Sequence, residues 1–222
     1  MEFVHKGIIY SEKNGSLIVE GLDNAKYNGA LTIPAIVKKK PVIQIAEDAF
    51  MGMEITKAYI PGSILKIGDR AFSHCYNLEV VEENKTVTLN NTGILEIGIN
   101  AFAACDKLKT IRTHQYLLLN VYSFSNCKRL ASIDYVARLN KRSLDGCCNL
   151  FYINIADKCD MSAFILKYSS LKKILFAGNA KLSPELIDSL IESNCQIECF
   201  SDSNICDLLY LGVNTDVLEL PF

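Results

Sequence analysis

The sequence predicts an α/β solenoid of short stacked units with a parallel sheet along one side, a β-hairpin cap at the amino end and a helical cap at the carboxyl end. Three observations carry this. An apolar anchor recurs every 20 to 30 residues, and a cysteine, a leucine and a β-branched residue follow it at fixed distances. The pattern then gives way at both ends to segments with their own turn or helix signals.

The first element is GIIYSEKNGSLIVEG, in which two apolar, β-prone runs flank Asn14-Gly15, a hairpin signal. It would cover the open end of a repeat core, which otherwise exposes apolar surface and a strand edge. ALTIPAIVKKKPVIQI then supplies the first solenoid strand, so residues 1–40 are expected to form the cap and its junction.

Residues 41–177 hold six related segments, among them VIQIAEDAFMGMEITKAYIP (42–61), ILKIGDRAFSHCYNLEVVEE (64–83) and ILEIGINAFAACDKLKTIRT (94–113). The anchors are Phe50, Phe72, Phe102, Phe124, Leu144 and Phe164, spaced by 22, 30, 22, 20 and 20 residues. The eight extra residues of the long step fall in the polar run 83–92, which could loop out. Four units place a cysteine three after the anchor (Cys75, Cys105, Cys127, Cys147), a leucine at six and Val81, Ile111, Ile133 or Ile153 at nine. Units this short cannot bury an apolar face alone, so they stack into one continuous core. The L-x-x-I segment reads as a strand that pairs in parallel with its copies. The Ile-Gly-Asp-x-Ala-Phe part, with glycine at 68 and 98 but Tyr122 and Lys141 elsewhere, would return in turns or short helical pieces.

The quoted segments resemble the BspA-type leucine-rich repeat, whose units read roughly I-G-x-x-A-F-x-x-C-x-x-L-x-x-I-x-I-P. The resemblance covers about residues 40–176. It implies a right-handed leucine-rich-repeat solenoid with a curved parallel sheet, and binding through the outer face of that sheet.

Beyond the repeats, in residues 178–222, SPELIDSLIESN signals a helix with Ser183 as N-cap, Pro184 at its first position and Asn194 as its stop. Leu186, Ile187, Leu190 and Ile191 share one face and should dock on the last unit. CQIECF reads as a strand, DSNICDLLYLG as a second helix ended by Gly212, and VLELPF as a tail.

Function classes narrow quickly. Lys and Arg number 23 against 25 Asp and Glu, with no basic block, which argues against a nucleic-acid partner. No window resembles a signal peptide or a membrane span, so a cytoplasmic location is expected, unless the chain is a mature fragment of a surface or secreted protein. Phosphate loops, the dinucleotide glycine fingerprint, H-E-x-x-H and G-x-S-x-G are all missing, and no cofactor is expected.

Adjacent His74 and Cys75 suggest a thiol beside its base. The cysteine nevertheless recurs four times without the histidine, so it reads as a small buried hydrophobe. In-register side chains rarely reach disulfide torsions, so the thiols are expected reduced. Cys147, Cys148 and Cys159, or Cys195, Cys199 and Cys206, lack the paired knuckles of a zinc site.

The expected function is therefore non-catalytic binding of another protein or a peptide, with a surface-associated adhesin or glycan-binding fragment as the alternative. If Leu and Ile of L-x-x-I point inward, the solvent face carries Lys57, Tyr59, Glu79, Glu82, Lys109, Arg112, Ser132, Asp134, Phe151, Tyr152, Asn154, Lys172 and Lys173. Phe151 and Tyr152 are the expected anchor, since aromatics flanked by charge are common hot spots.

Overall fold

The computed structural model describes residues 2–24, 27–84, 93–161, 171–193, 195–200, 204 and 215–218. Two parallel ladders run through the stack where the sequence pattern suggested one. The front ladder is the expected L-x-x-I sheet, built from Ala30–Thr32, Lys57–Pro61, Val80–Asn84 and Thr110–Arg112, followed by the starts of Ser132–Leu139 and Tyr152–Asp160. Lys173–Phe176 and Gln196–Phe200 continue it. Its inward column, Ala58, Val81, Ile111, Ile133, Ile153, Ile174 and Ile197, is buried throughout.

The back ladder lies just before each anchor, where Ile45 pairs with Ile67, Ile67 with Ile97, Ile97 with Leu119 and Leu119 with Leu139. Segments expected to return as turns or short helices thus begin as strands. Lys66–Ile67 has two residues and no alternation of its own to announce it. Its hydrogen-bonding partners are supplied by the coils above and below, which is the cooperative logic of a repeat stack.

Between the ladders each coil turns a tight arc. The anchor rings stack along it, with centroids 5.0, 5.2 and 5.1 Å apart from Phe50 through Phe72 and Phe102 to Phe124. Backbone bonds join the arcs, as in Phe50 N–H to Ala71 O (2.8 Å), Phe72 N–H to Ala101 O (2.8 Å) and Phe102 N–H to Ser123 O (2.8 Å). Positions two before and two after the anchor adopt positive φ in unit after unit. The second set is Gly52, His74, Ala104, Asn126 and Gly146, so His74 fills a left-handed turn slot that glycine and asparagine fill elsewhere.

The tight glycine slot lies four before the anchor. A Cβ on Gly68 would stand 2.6 Å from the Ala46 carbonyl carbon. The later occupants of this slot are Asn120 and Asn140, rather than Tyr122 and Lys141 as the sequence alignment had it. The two asparagines extend a polar spine in which Asn140 donates to Asn120 and Asn120 donates to Glu96, each at 3.1 Å.

At the amino end, Ile8–Lys13 and Ser16–Leu22 form the expected antiparallel hairpin, with Asn14 and Gly15 both at positive φ, as a type I′ turn requires. Glu2–His5 adds a third strand, and Ser16–Leu22 pairs in parallel with Lys40–Ile45, so the cap continues the back ladder.

At the carboxyl end, the helix Pro184–Ser193 is capped by Ser183, whose hydroxyl accepts from Leu186 N–H at 3.1 Å, and it buries Leu186 and Leu190. Thr215–Leu218 joins the front ladder in parallel with Gln196–Phe200, so the expected tail begins as a strand. The anchor Phe164, residues 85–92, the stop Asn194, the side chain of Ile191 and most of the expected second helix lie outside the described residues.

Candidate binding face

Apart from Asp134, the residues expected on the solvent face fall into two columns of the front ladder and a row at the corner before it. Lys57, Ser132, Tyr152 and Lys173 share one outward column with Val80 and Thr110, which the sequence reading did not name. Tyr59, Glu82 and Arg112 form the second, with Asn154 further along the same ladder. Asp134 sits within a register shift of Ser132–Leu139. Glu79, Lys109, Phe151 and Lys172 stand one residue earlier, at the corner where the chain enters the strand. Their backbone N–H groups reach the preceding coil: Glu79 to Thr56, Lys109 to Glu79, Phe151 to Ala131 and Lys172 to Phe151 (2.8–3.0 Å). Grouping Glu79 with Glu82 uses a spacing of three, whereas a strand presents one face every second residue.

Much of the charge on this face is already matched. Lys109 Nζ meets Glu79 Oε2 at 2.8 Å, Arg112 Nη1 meets Glu82 Oε1 at 2.8 Å and Lys173 Nζ meets Glu198 Oε1 at 2.5 Å. The hydrogen bond from Lys109 holds the Glu79 carboxyl below its ordinary pKa. Such exposed pairs contribute little to stability, typically below about 1 kcal/mol. Their consequence is that these charges are not waiting for a partner.

Three groups of the later coils stand outside these pairs. Asp134 has no cation paired with it among the described residues, and partial burial pushes its carboxyl pKa up. Tyr152 is half-buried on the next strand, and its pKa is raised by burial and then by the negative charge of Asp134 and Glu198. Phe151 beside it is 56% exposed.

Sequence reasoning named Glu82, Arg112 and Asp134 but not Glu83, His114 and Tyr135, which join them at the corner where the chain leaves the front ladder. A cleft of about 420 Å³ opens there, lined among others by Glu82, Glu83, Arg112, His114, Asp134 and Tyr135. Glu83 organises it by accepting from the Thr113 hydroxyl (3.2 Å) and the His114 N–H (2.8 Å). Tyr135 lines it and meets Tyr116 edge to face at 6.4 Å. A usable signal existed: where the first unit ends in Ile-Pro, the second ends Glu83-Asn84 and the third Arg112-Thr113-His114. A second cleft, of about 450 Å³, lies at the amino-terminal hairpin between His5, Tyr10, Thr32 and Ile36 and contains none of the expected residues.

The thiols are architectural. Cys75 Sγ donates to the Phe50 carbonyl at 3.1 Å, while His74 Nδ1 faces Ser73 Oγ at 2.8 Å, so the adjacent pair does not act together. Burial pushes the Cys147 and Cys159 thiols up to about 12. Among the described residues, no group of three or more His, Cys, Asp or Glu side chains could hold a metal ion. No described helix is long and apolar enough to cross a membrane.

Comparison with known proteins agrees with this architecture. A T. pallidum leucine-rich repeat protein (TpLRR) superposes with a TM-score of 0.60 at 18% identity, covering 87% of this chain and 96% of that one. A Bacteroides capillosus leucine-rich repeat protein gives 0.44 at 26% identity over 57% of this chain and 93% of its own. No curated protein matches the sequence. The family described as BspA type leucine rich repeat region matches in six copies over residues 22–94 and 43–172, and this chain belongs to that family.

Proposed function

We propose that the chain is a non-catalytic module that binds another protein or an extended peptide on the outer face of its front ladder, with Phe151 and Tyr152 as the central anchor. The carrying observation is the exposed Phe151 ring at the entry corner, beside Tyr152 and the unpaired Asp134. An exposed aromatic with a desolvated polar neighbour is the composition of a binding hot spot. Glu79, Glu82, Lys109, Arg112 and Lys173 of the same face are engaged in pairs between coils.

The test is cross-linking capture from source cells, identification of the captured protein by mass spectrometry, and titration of that purified protein against wild type and the Phe151→Ala/Tyr152→Ala variant. The variant should retain the wild-type melting profile and lose at least about tenfold in affinity. Unchanged affinity in a folded double variant removes this anchor. Retention on immobilised glycans with no protein captured would favour an adhesin instead.

A further inference from the structure

The surface extends beyond the front ladder to the corner where the second to fourth coils pass into the back ladder, and there apolar side chains line up across successive coils. Ile94 is the direct cross-strand neighbour of Tyr116, and Tyr116 meets Tyr135 ring to ring. All three are well exposed, at 54%, 39% and 43%. Tyr135 has φ of 57° within the register shift of its strand, and bulges of this kind re-aim a side chain out of the regular pleat.

The adjoining cleft has an unbalanced charge. Its carboxylates are Glu82, Glu83 and Asp134, and its guanidinium, Arg112, is paired with Glu82. Glu83 is engaged by Thr113 and His114, and Asp134 has no ion pair among the described residues. An anionic ligand would meet uncompensated negative charge here. A cationic side chain would meet a carboxylate and an aromatic ring together, a combination suited to a guanidinium or an ammonium.

We infer that this corner accepts a basic side chain from a partner peptide, its cation against Asp134 and Tyr135 and a neighbouring apolar residue on the Ile94–Tyr116–Tyr135 stripe. The inference rests on the protein- or peptide-binding reading of the same face, and adds the chemistry of what is bound.

A suitable probe is a fluorescein-labelled octapeptide of alternating arginine and phenylalanine, titrated by anisotropy against the full chain, beside a matched peptide with glutamate in place of arginine. The arginine peptide should bind and the glutamate peptide should not. Asp134→Asn should weaken binding roughly tenfold, the worth of one charge-assisted contact. Tyr135→Ala should weaken it as well, with both variants showing the circular-dichroism spectrum of the wild type.

Equal affinity for the two peptides, binding of neither, or indifference to Asp134→Asn overturns the inference. Binding of a neutral oligosaccharide that Tyr135→Ala abolishes, without arginine-peptide binding, also overturns it and assigns the stripe to glycan. The sheet-face reading is judged separately. If the purified partner loses affinity for Phe151→Ala/Tyr152→Ala but not for Asp134→Asn, that reading stands and the basic-residue site falls.

Discussion

The thiol of Cys127 donates a hydrogen bond to the carbonyl oxygen of Phe102 in the preceding coil at 3.0 Å. Cys75 does the same to Phe50, Cys105 to Phe72 and Cys147 to Phe124, each at 3.1 Å. The cysteine of the repeat therefore does two things at once: it fills a buried space of fixed size, and it gives a second hydrogen bond to a carbonyl that already accepts a backbone N–H within its own arc, as Phe102 O does from Cys105 N–H at 3.2 Å. Serine could donate but brings a more polar atom into that space, whereas alanine fits but cannot donate. Cys127→Ala should cost about 1–2 kcal/mol, through a small cavity and the loss of the thiol's hydrogen bond. Chemical denaturation should show the loss, together with a broadened transition, because a defect in the middle of a stack weakens the coupling between its halves.

The same burial governs thiol reactivity and alkaline stability. Cys75, Cys105, Cys127, Cys147 and Cys159 are buried, whereas Cys148 is exposed. Iodoacetamide should modify Cys148 in the native protein and reach the buried set only after denaturant is added. Folded thiols whose pKa lies above the unfolded value of about 8.5 contribute stability that is whole below that pH and disappears as pH rises through the folded value. With Cys195 raised to about 11 and Cys147 and Cys159 to about 12, the melting temperature should fall steadily from pH 9 upward. A flat alkaline profile would contradict this.

Two positions in the repeat carry a local mismatch. The residue before the anchor is Ala49, Ala71 and Ala101 in the early coils, then Ser123 and Ser143. Both serine hydroxyls are buried without a hydrogen-bond partner. An unmade buried hydrogen bond costs about 1–3 kcal/mol, so Ser123→Ala and Ser143→Ala should each stabilise the fold by about 1 kcal/mol. Urea midpoints would measure this, and a loss of stability in either variant would mean that the hydroxyl has a partner.

How much of this was legible depended on whether a residue's role is set by its own unit or by its neighbours. The Phe50 to Leu144 register and the Cys75 to Cys147 column could be read because each unit repeats the same volumes at the same spacing. The back ladder could not, since Lys66–Ile67 acquires its strand character from coils 22 and 30 residues away in sequence. The outward positions on the front face divide between the strand and the corner before it, a boundary the sequence does not mark, because the strand starts at Val80. The N–H of Glu79 is used instead at the corner, by Thr56 O. Tyr116 and Tyr135 were missed because they lie past the repeat consensus, at an edge that only stacking brings together.

Asp134 links stability to the candidate site. Partial burial without a cation raises its pKa in the folded chain. For a raised carboxyl, the favourable contribution is present below the unfolded pKa of about 3.9 and is lost as pH rises through the folded value. At neutral pH the ionised group therefore opposes folding. Asp134→Asn should stabilise the free protein at pH 7 by about 0.3–0.5 kcal/mol once solvent screening is allowed for. The gap between variant and wild type should close as pH falls below 4. Thermal melts across pH 3 to 8 would show the convergence, and a variant less stable than wild type at pH 7 would mean that Asp134 has an internal cationic partner. A residue that weakens the free fold while strengthening capture of a basic peptide would show the two effects with opposite signs in one substitution. That opposition is the mark of a carboxylate retained for binding, because a purely structural aspartate would lose stability and leave affinity unchanged.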